Sequence, residues 1–247
     1  IPMTKQKNWL IQLLNIAGTG PIFGPIMGAL YGPVAFIWIV IGNIFAGAVH
    51  DYYLGMISLR NNGDHLPALA GKYLGKPMKH IVNIFASLLL LLVGTVFVTS
   101  PASLLASLTP LFMNRWIWVV IIFIYYVLST ILPIDQIIGR IYPIFGAVLL
   151  LSCVGVFVTL FTSGNFTNIP EISLQNMHPD GVSIIPGIFF TISCGAMSGF
   201  HATQSPIISR TIQKESQGRW VFYGAMITEG IIAMIWAAAA MALFDRV

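Results

Sequence analysis

The sequence predicts an all-α integral membrane protein, from its scarcity of charge, its long apolar runs and the placement of its Lys and Arg residues. Of 247 residues, 57% are hydrophobic and only 8% are charged, and the mean hydropathy is +0.85. A soluble domain carries about a quarter of its residues as charged side chains, so this chain cannot cover a water-facing surface. Several apolar runs reach the roughly 17–25 residues that cross a hydrocarbon core of about 30 Å. Backbone groups have no water to bond there, so the runs must be helices, because the alternation of a barrel strand is absent. The basic residues fall between apolar runs without forming a nucleic-acid-binding module, so no nucleic-acid partner is expected. Cys153 and Cys194 lie inside apolar segments and read as small packing residues.

Seven spans are expected, at about 9–30, 33–59, 81–104, 116–133, 142–162, 184–201 and 221–244. A short turn at Gly32-Pro33 separates the first two, and polar loops separate the rest. Lys and Arg stay on the cytoplasmic side in short loops. With the N-terminus inside, alternation puts 10 of the 12 basic residues inside and leaves only Arg115 and Arg246 outside. Loop 163–183, which carries Glu171 and Asp180 but no Lys or Arg, then faces out. The chain begins at Ile1, and the start is expected to be an internal boundary of a longer protein.

Two spans carry helix-breaking residues. Residues 15–25, NIAGTGPIFGP, contain Gly18, Gly20, Pro21, Gly24 and Pro25, with Thr19 among them. Residues 192–206, ISCGAMSGFHATQSP, repeat that chemistry with Gly195, Ser198, Gly199 and Pro206. Gly and Pro weaken helices, and freed backbone groups persist at membrane depth only where protein, water or ligand satisfies them. These are the first and sixth spans, running in opposite directions, as in carriers built from inverted five-helix repeats with a substrate site at the broken helices. The expected organisation is one transmembrane domain segment over 1–247, with a first five-helix unit at about 9–162 and the start of a second at about 184–244. Close packing is the alternative, because Gly20, Gly24, Gly28 and Gly32 recur every fourth residue as a small-residue stripe.

Ionisable residues inside spans are costly and so mark functional candidates. His50 and Asp51 lie well inside the second span, and adjacent helix residues point some 100° apart, so they need not share a partner. Asp51 suits either a coupling proton or pairing with a cytoplasmic Arg or Lys. His201 closes the sixth span beside Thr203-Gln204-Ser205, for a role near substrate or in capping. Glu229 is the one acidic residue of the last span, suited to carrying a proton or to buried hydrogen bonding. No ligand spacing argues for a metal, and no pattern argues for a nucleophilic or nucleotide-binding enzyme.

The string NIAGTGPIFGPIMGALYGP followed by GNIFAGAVHDYYLGMISLRNNG resembles the carbon starvation protein A family. The later GAMSGFHATQSPIISRTI and YGAMITEGIIA are similar to that family's second signature region. The resemblance covers about 15–63 and 193–233. It implies a multi-pass transporter of the prokaryotic inner membrane, importing peptides or pyruvate with protons, grouped with five-plus-five inverted-repeat carriers. It carries Gly18, Gly20, Pro21, Gly24, Pro25, His50, Asp51, Gly199, His201 and Ser205 as family-motif positions. Many members hold a His-His pair where this chain has Ile11-Gln12, and members continue through further spans, so the remaining helices of a parent polypeptide are expected partners.

The function expected is thus a secondary active transporter for a small carboxylate such as pyruvate, or for short peptides. No cofactor is expected beyond a coupling ion, H⁺ or Na⁺. The binding candidates are Gly18, Thr19, Gly20, Pro21, Gly24, His50, Asp51, Ser198, Gly199, His201 and Glu229. A channel or signalling membrane protein is the first alternative, and a membrane-embedded enzyme the second.

Overall fold

A computed structural model describes residues 2–18, 20–110, 112–131, 135–196 and 199–243. All its regular elements are helices. Helix α1 (Lys5–Ile16) starts at a Thr4 cap, whose hydroxyl accepts the Lys7 amide. It stops at Ala17-Gly18, and α2 (Gly20–Gly28) resumes at an angle, so that the pair bends by 50°. A tight turn follows, and Gly32, at φ 82°, reverses the chain in a conformation that a side chain would strain.

The second span is a single rod from Val34 to Arg60. It consists of α3 (Val34–Ile41), a wider π turn at Gly42–Gly47 and α4 (Ala48–Arg60). The wide turn allows a close approach: a Cβ on Gly47 would lie 2.0 Å from the Ala196 carbonyl oxygen. The stretch expected as a polar loop at 60–80 holds a short helix, α5 (Leu66–Leu74), opened by the Pro67 that suits a first helical turn. Helix α6 (Lys76–Leu108) overruns the expected third span at both ends, because Pro77 also sits in its first turn and no breaker precedes Leu108 except an accommodated Pro101. Then come α7 (Arg115–Ile131) and α8 (Asp135–Thr162).

The sixth span is interrupted, as expected, but extends further than expected: it is two helices, α9 (Ile184–Ala196) and α10 (His201–Ser209), with Gly199-Phe200 between them. His201 therefore opens the second half, whereas the sequence suggested that it closed the span. Residues 202–209, expected in a polar loop, continue the helix because Pro206 falls where α10 tolerates it. A second π turn, Arg219–Tyr223, leads into α11 (Gly224–Leu243).

Among the described residues, four helices are long and apolar enough to cross a membrane, and a fifth span arises if the bent α1–α2 pair counts as one. At 17 residues α7 is shorter, and α9 and α10 are each shorter still. The seven-span count and the cytoplasmic N-terminus thus remain expectations. The core lies between α1, α2, the second span, α9, α10 and α11. One cluster joins Tyr31, Val34, Ile39, Ile188, Ala237 and Met241, and another joins Leu13, Ile16, Ala48, Cys153, Met226 and Ile232. Gly24 and Gly28 are buried in α2, which packs on α9 and α11, so the small-residue stripe does serve close packing.

Candidate functional site

Four elements of that core converge on a buried set of polar side chains. Asn8 and Gln12 lie four residues apart on α1, and hence on one face. His201 and Ser205 share a face of α10 in the same way, and both faces turn inward. Asp51 comes from α4 and Glu229 from α11. Gln12, Asp51, Ser205 and Glu229 have no exposed surface, and His201 is 1% exposed.

The Gln12 side-chain amide donates to Asp51 Oδ2 at 3.2 Å and to Ser205 Oγ at 3.3 Å. His50 Nδ1 lies 3.2 Å from Asp51 Oδ1, so the two neighbours do meet, with His50 half-exposed. His201 stands between the two carboxylates: Nδ1 is 4.0 Å from Asp51 Oδ1, and Nε2 is 3.6 Å from Glu229 Oε1. Those are ion-pair separations rather than hydrogen bonds. Among the described residues the charged neighbours of Asp51 are His50 and His201, and no Arg or Lys pairs with it.

Five buried atoms of this set lack a hydrogen-bond partner among the described residues: Gln12 Oε1, both ring nitrogens of His201 and both Glu229 oxygens. Each such group costs about 1–3 kcal/mol when buried. The set thus brings two buried carboxylates and one buried imidazole together, with the Glu229 oxygens lacking a hydrogen-bond partner among the described residues.

A polar seam continues from this centre along α10. Ser58 Oγ on α4 lies 2.9 Å from Ser209 Oγ, and Arg210 Nε donates to the Gly63 carbonyl at 2.9 Å. Asn8 bonds Thr211 through both its amide and its carbonyl, at 3.2 and 2.6 Å. Higher up, Asn43, inside the first π turn, donates to the Met226 carbonyl at 2.8 Å. Irregular turns of this kind release carbonyls that a side chain can then satisfy.

The sequence-based candidates divide accordingly. Asp51, His201, Glu229 and His50 come together. Gly18 marks the break after α1, and its backbone lies against the Phe97 ring, since a Cβ there would be 2.7 Å from it. Gly199 marks the other break and faces Leu89. Gly20, Pro21 and Gly24 lie in α2. Thr19 and Ser198 lie outside the described residues. Sequence reasoning named Gln12 only as a departure from the family's His pair and did not weigh it as a site residue. The polar i, i+4 pair Asn8/Gln12 in an apolar helix was the available signal.

The family profile "Carbon starvation protein CstA" matches residues 1–114 and 102–246. The chain belongs to that family. It is 48% identical to an "Uncharacterized membrane protein" of Haemophilus influenzae over 296 aligned positions, covering all of this chain and 80% of that protein. It is 26% identical to "Peptide transporter CstA" of Bacillus subtilis, over 97% of this chain and 50% of the relative. It is likewise 26% identical to "Pyruvate/proton symporter BtsT" of Escherichia coli, over 91% of this chain and 40% of the relative. The chain thus spans half the length or less of these two named transporters. No solved structure matches it. The Haemophilus alignment is longer than the chain's 247 residues, so that relative holds internal residues without a counterpart here. The two matched family segments meet at 102–114, the α6–α7 connection. With its apolar helices, the chain is a multi-pass membrane protein of a family whose named relatives are transporters.

Proposed function

We propose that this chain forms the ion-coupling and substrate-binding part of a secondary active transporter that imports a small carboxylate, such as pyruvate, or a short peptide. The observation that carries it is the buried imidazole of His201 between two buried carboxylates, Asp51 and Glu229, directly after a helix break. Ionisable groups so deep in a membrane bundle serve proton or ion pathways by default. The helices break after α1 and before α10, and half-helix ends suit a carboxylate at their amide ends and a cation at their carbonyl ends. The names of the relatives, a peptide transporter and a pyruvate/proton symporter, favour these substrates and protons as the coupling ion.

The pattern of a broken helix followed by a π-turned span and a buried carboxylate occurs twice, ending at Asp51 and at Glu229. That recurrence supports two units related by a repeat, beginning at α1 and at α9. An embedded hydrolase is less well supported. Neither nitrogen of His201 has a hydrogen-bond partner among the described residues, so Ser205 has no bonded base.

The test is uptake of labelled pyruvate and of a labelled dipeptide by the intact protein in proteoliposomes, under an inward proton gradient, an inward Na⁺ gradient or neither. Proton-driven accumulation of one substrate, abolished in Asp51→Asn and Glu229→Gln, is expected. Accumulation driven only by Na⁺ would replace the coupling ion. Flux that merely equilibrates under every condition would refute the carrier reading in favour of a channel.

A further inference from the structure

Between α2 and the far end of α6 lies a cavity of about 310 Å³, lined by Phe23, Thr99, Ser100, Ser103, Leu104 and Arg115. Thr99 and Ser103 donate their hydroxyl protons to the carbonyls one turn back, Thr95 and Thr99, at 2.9 Å each. That leaves the guanidinium of Arg115 as the strong donor at this cavity, with several N–H groups in a fixed fork. No carboxylate lies within ion-pair distance of it among the described residues. Arg115 is thus a cation without a carboxylate partner among the described residues, at the edge of a cavity lined by three hydroxyl-bearing residues and by Phe23 and Leu104.

The cavity adjoins the helix breaks. Phe97 is less than one turn before Ser100 on α6. Its ring lies against the Gly18 backbone and meets the Phe200 ring edge-on, with centroids 5.6 Å apart. Phe97 thus spans both breaks, with Leu89 against Gly199 two turns earlier on the same face. Along α6, at about 1.5 Å per residue, the Arg115 cavity follows immediately beyond Phe97. On the charge-derived orientation this is the non-cytoplasmic end, the side from which an importer takes its substrate.

We infer that this cavity is the entrance site for the carboxylate group of the substrate, held by Arg115, with the Phe97–Phe200 pair closing the way from it to the helix breaks. The inference rests on the transport reading above and names the chemistry that admits the substrate. An exposed guanidinium attracts an anion over several ångströms and then fixes it by charge-assisted hydrogen bonds. Phe97 and Phe200 are apolar and offer the anion nothing, so it advances only when they part.

The experiment uses the intact protein in proteoliposomes with labelled pyruvate. Arg115→Gln is expected to raise KM about three- to tenfold with kcat kept, the loss of one charge-assisted contact at a partly screened site. Arg115→Lys is expected to recover most of the affinity, and rising salt is expected to narrow the gap between wild type and Arg115→Gln. Phe97→Ala is expected to let the proton gradient leak, and a gradient held as tightly as in the wild type overturns the closing role of the Phe97–Phe200 pair. An unchanged KM in Arg115→Gln, or a fall in kcat alone, overturns the entrance site. If the wild type accumulates nothing, the transport reading fails. The site is then judged by calorimetric pyruvate binding to the detergent-solubilised protein, where equal affinity in wild type and Arg115→Gln overturns it. Binding of pyruvamide, which lacks the charge, serves as the control and is expected to be indifferent to Arg115→Gln.

Discussion

The bundle of α1, α2, the second span and α9–α11 differs from α6 and α7 in how it satisfies polar groups. In the bundle, polar side chains bond from helix to helix: Gln12 to Asp51, Asn43 to Met226, Ser58 to Ser209. On α6 and α7 most bond within their own helix, as Thr95, Thr99 and Ser103 do to carbonyls one turn back and Thr130 does to Tyr126, while the Tyr126 hydroxyl reaches across to the Phe97 carbonyl. Burial follows the same division. Over half of the apolar stretch of the last span, 56%, is buried, whereas none of the corresponding stretch of α6 is. Lipid solvates α6 as well as protein would, so its side chains need no partner beyond their own backbone. Buried polar groups in the bundle have no such recourse, and they bond to one another across helices.

Substitutions can break or sharpen that contrast. His201→Ala removes the imidazole that stands between two buried carboxylates and is expected to cost about 3–5 kcal/mol of stability, read as a large drop in the detergent unfolding temperature. Transport should be lost with it. Gly47→Ala places a Cβ 2.0 Å from the Ala196 carbonyl oxygen, which must then move. A loss of about 1–3 kcal/mol is expected from this overpacking, measured in the same way.

The matching change on α6 has the opposite sign. A Cβ on Gly94 of α6 meets nothing within 4 Å, so Gly94→Ala is expected to be neutral or to stabilise by up to about 1 kcal/mol through helix propensity. Equal losses at Gly47 and Gly94 would show that the two regions are packed alike. Smallest is Arg60→Ala, which removes an exposed ion pair with Glu215 at 3.0 Å. No measurable change in unfolding temperature is expected, since exposed pairs contribute little.

Much of this was legible from local chemistry. Gly18 and Gly199 do mark helix interruptions, because glycine and proline act on the backbone within a turn of where they stand. Asp51 and Glu229 were recognisable as candidates because charge inside an apolar run is costly anywhere it lies. The extent of the sixth span was misjudged, since polar Thr203-Gln204-Ser205 looked like a loop. Those residues are tolerated in α10 because its polar face turns inward, where Gln12 meets Ser205.

By itself, then, the sequence determined the class of molecule, the positions of its helix breaks and which ionisable residues lie inside apolar runs. Only the tertiary structure decided that His201 stands between Asp51 and Glu229, that His50 meets its own neighbour, and that Gln12 joins Asp51 to Ser205. The physical reason is range. Helix breaks and burial cost depend on residues within a few positions, whereas the Gln12 contacts join positions 39 and 193 residues apart. Such pairings depend on which faces four helices turn towards one another, and no periodicity along a single helix specifies that.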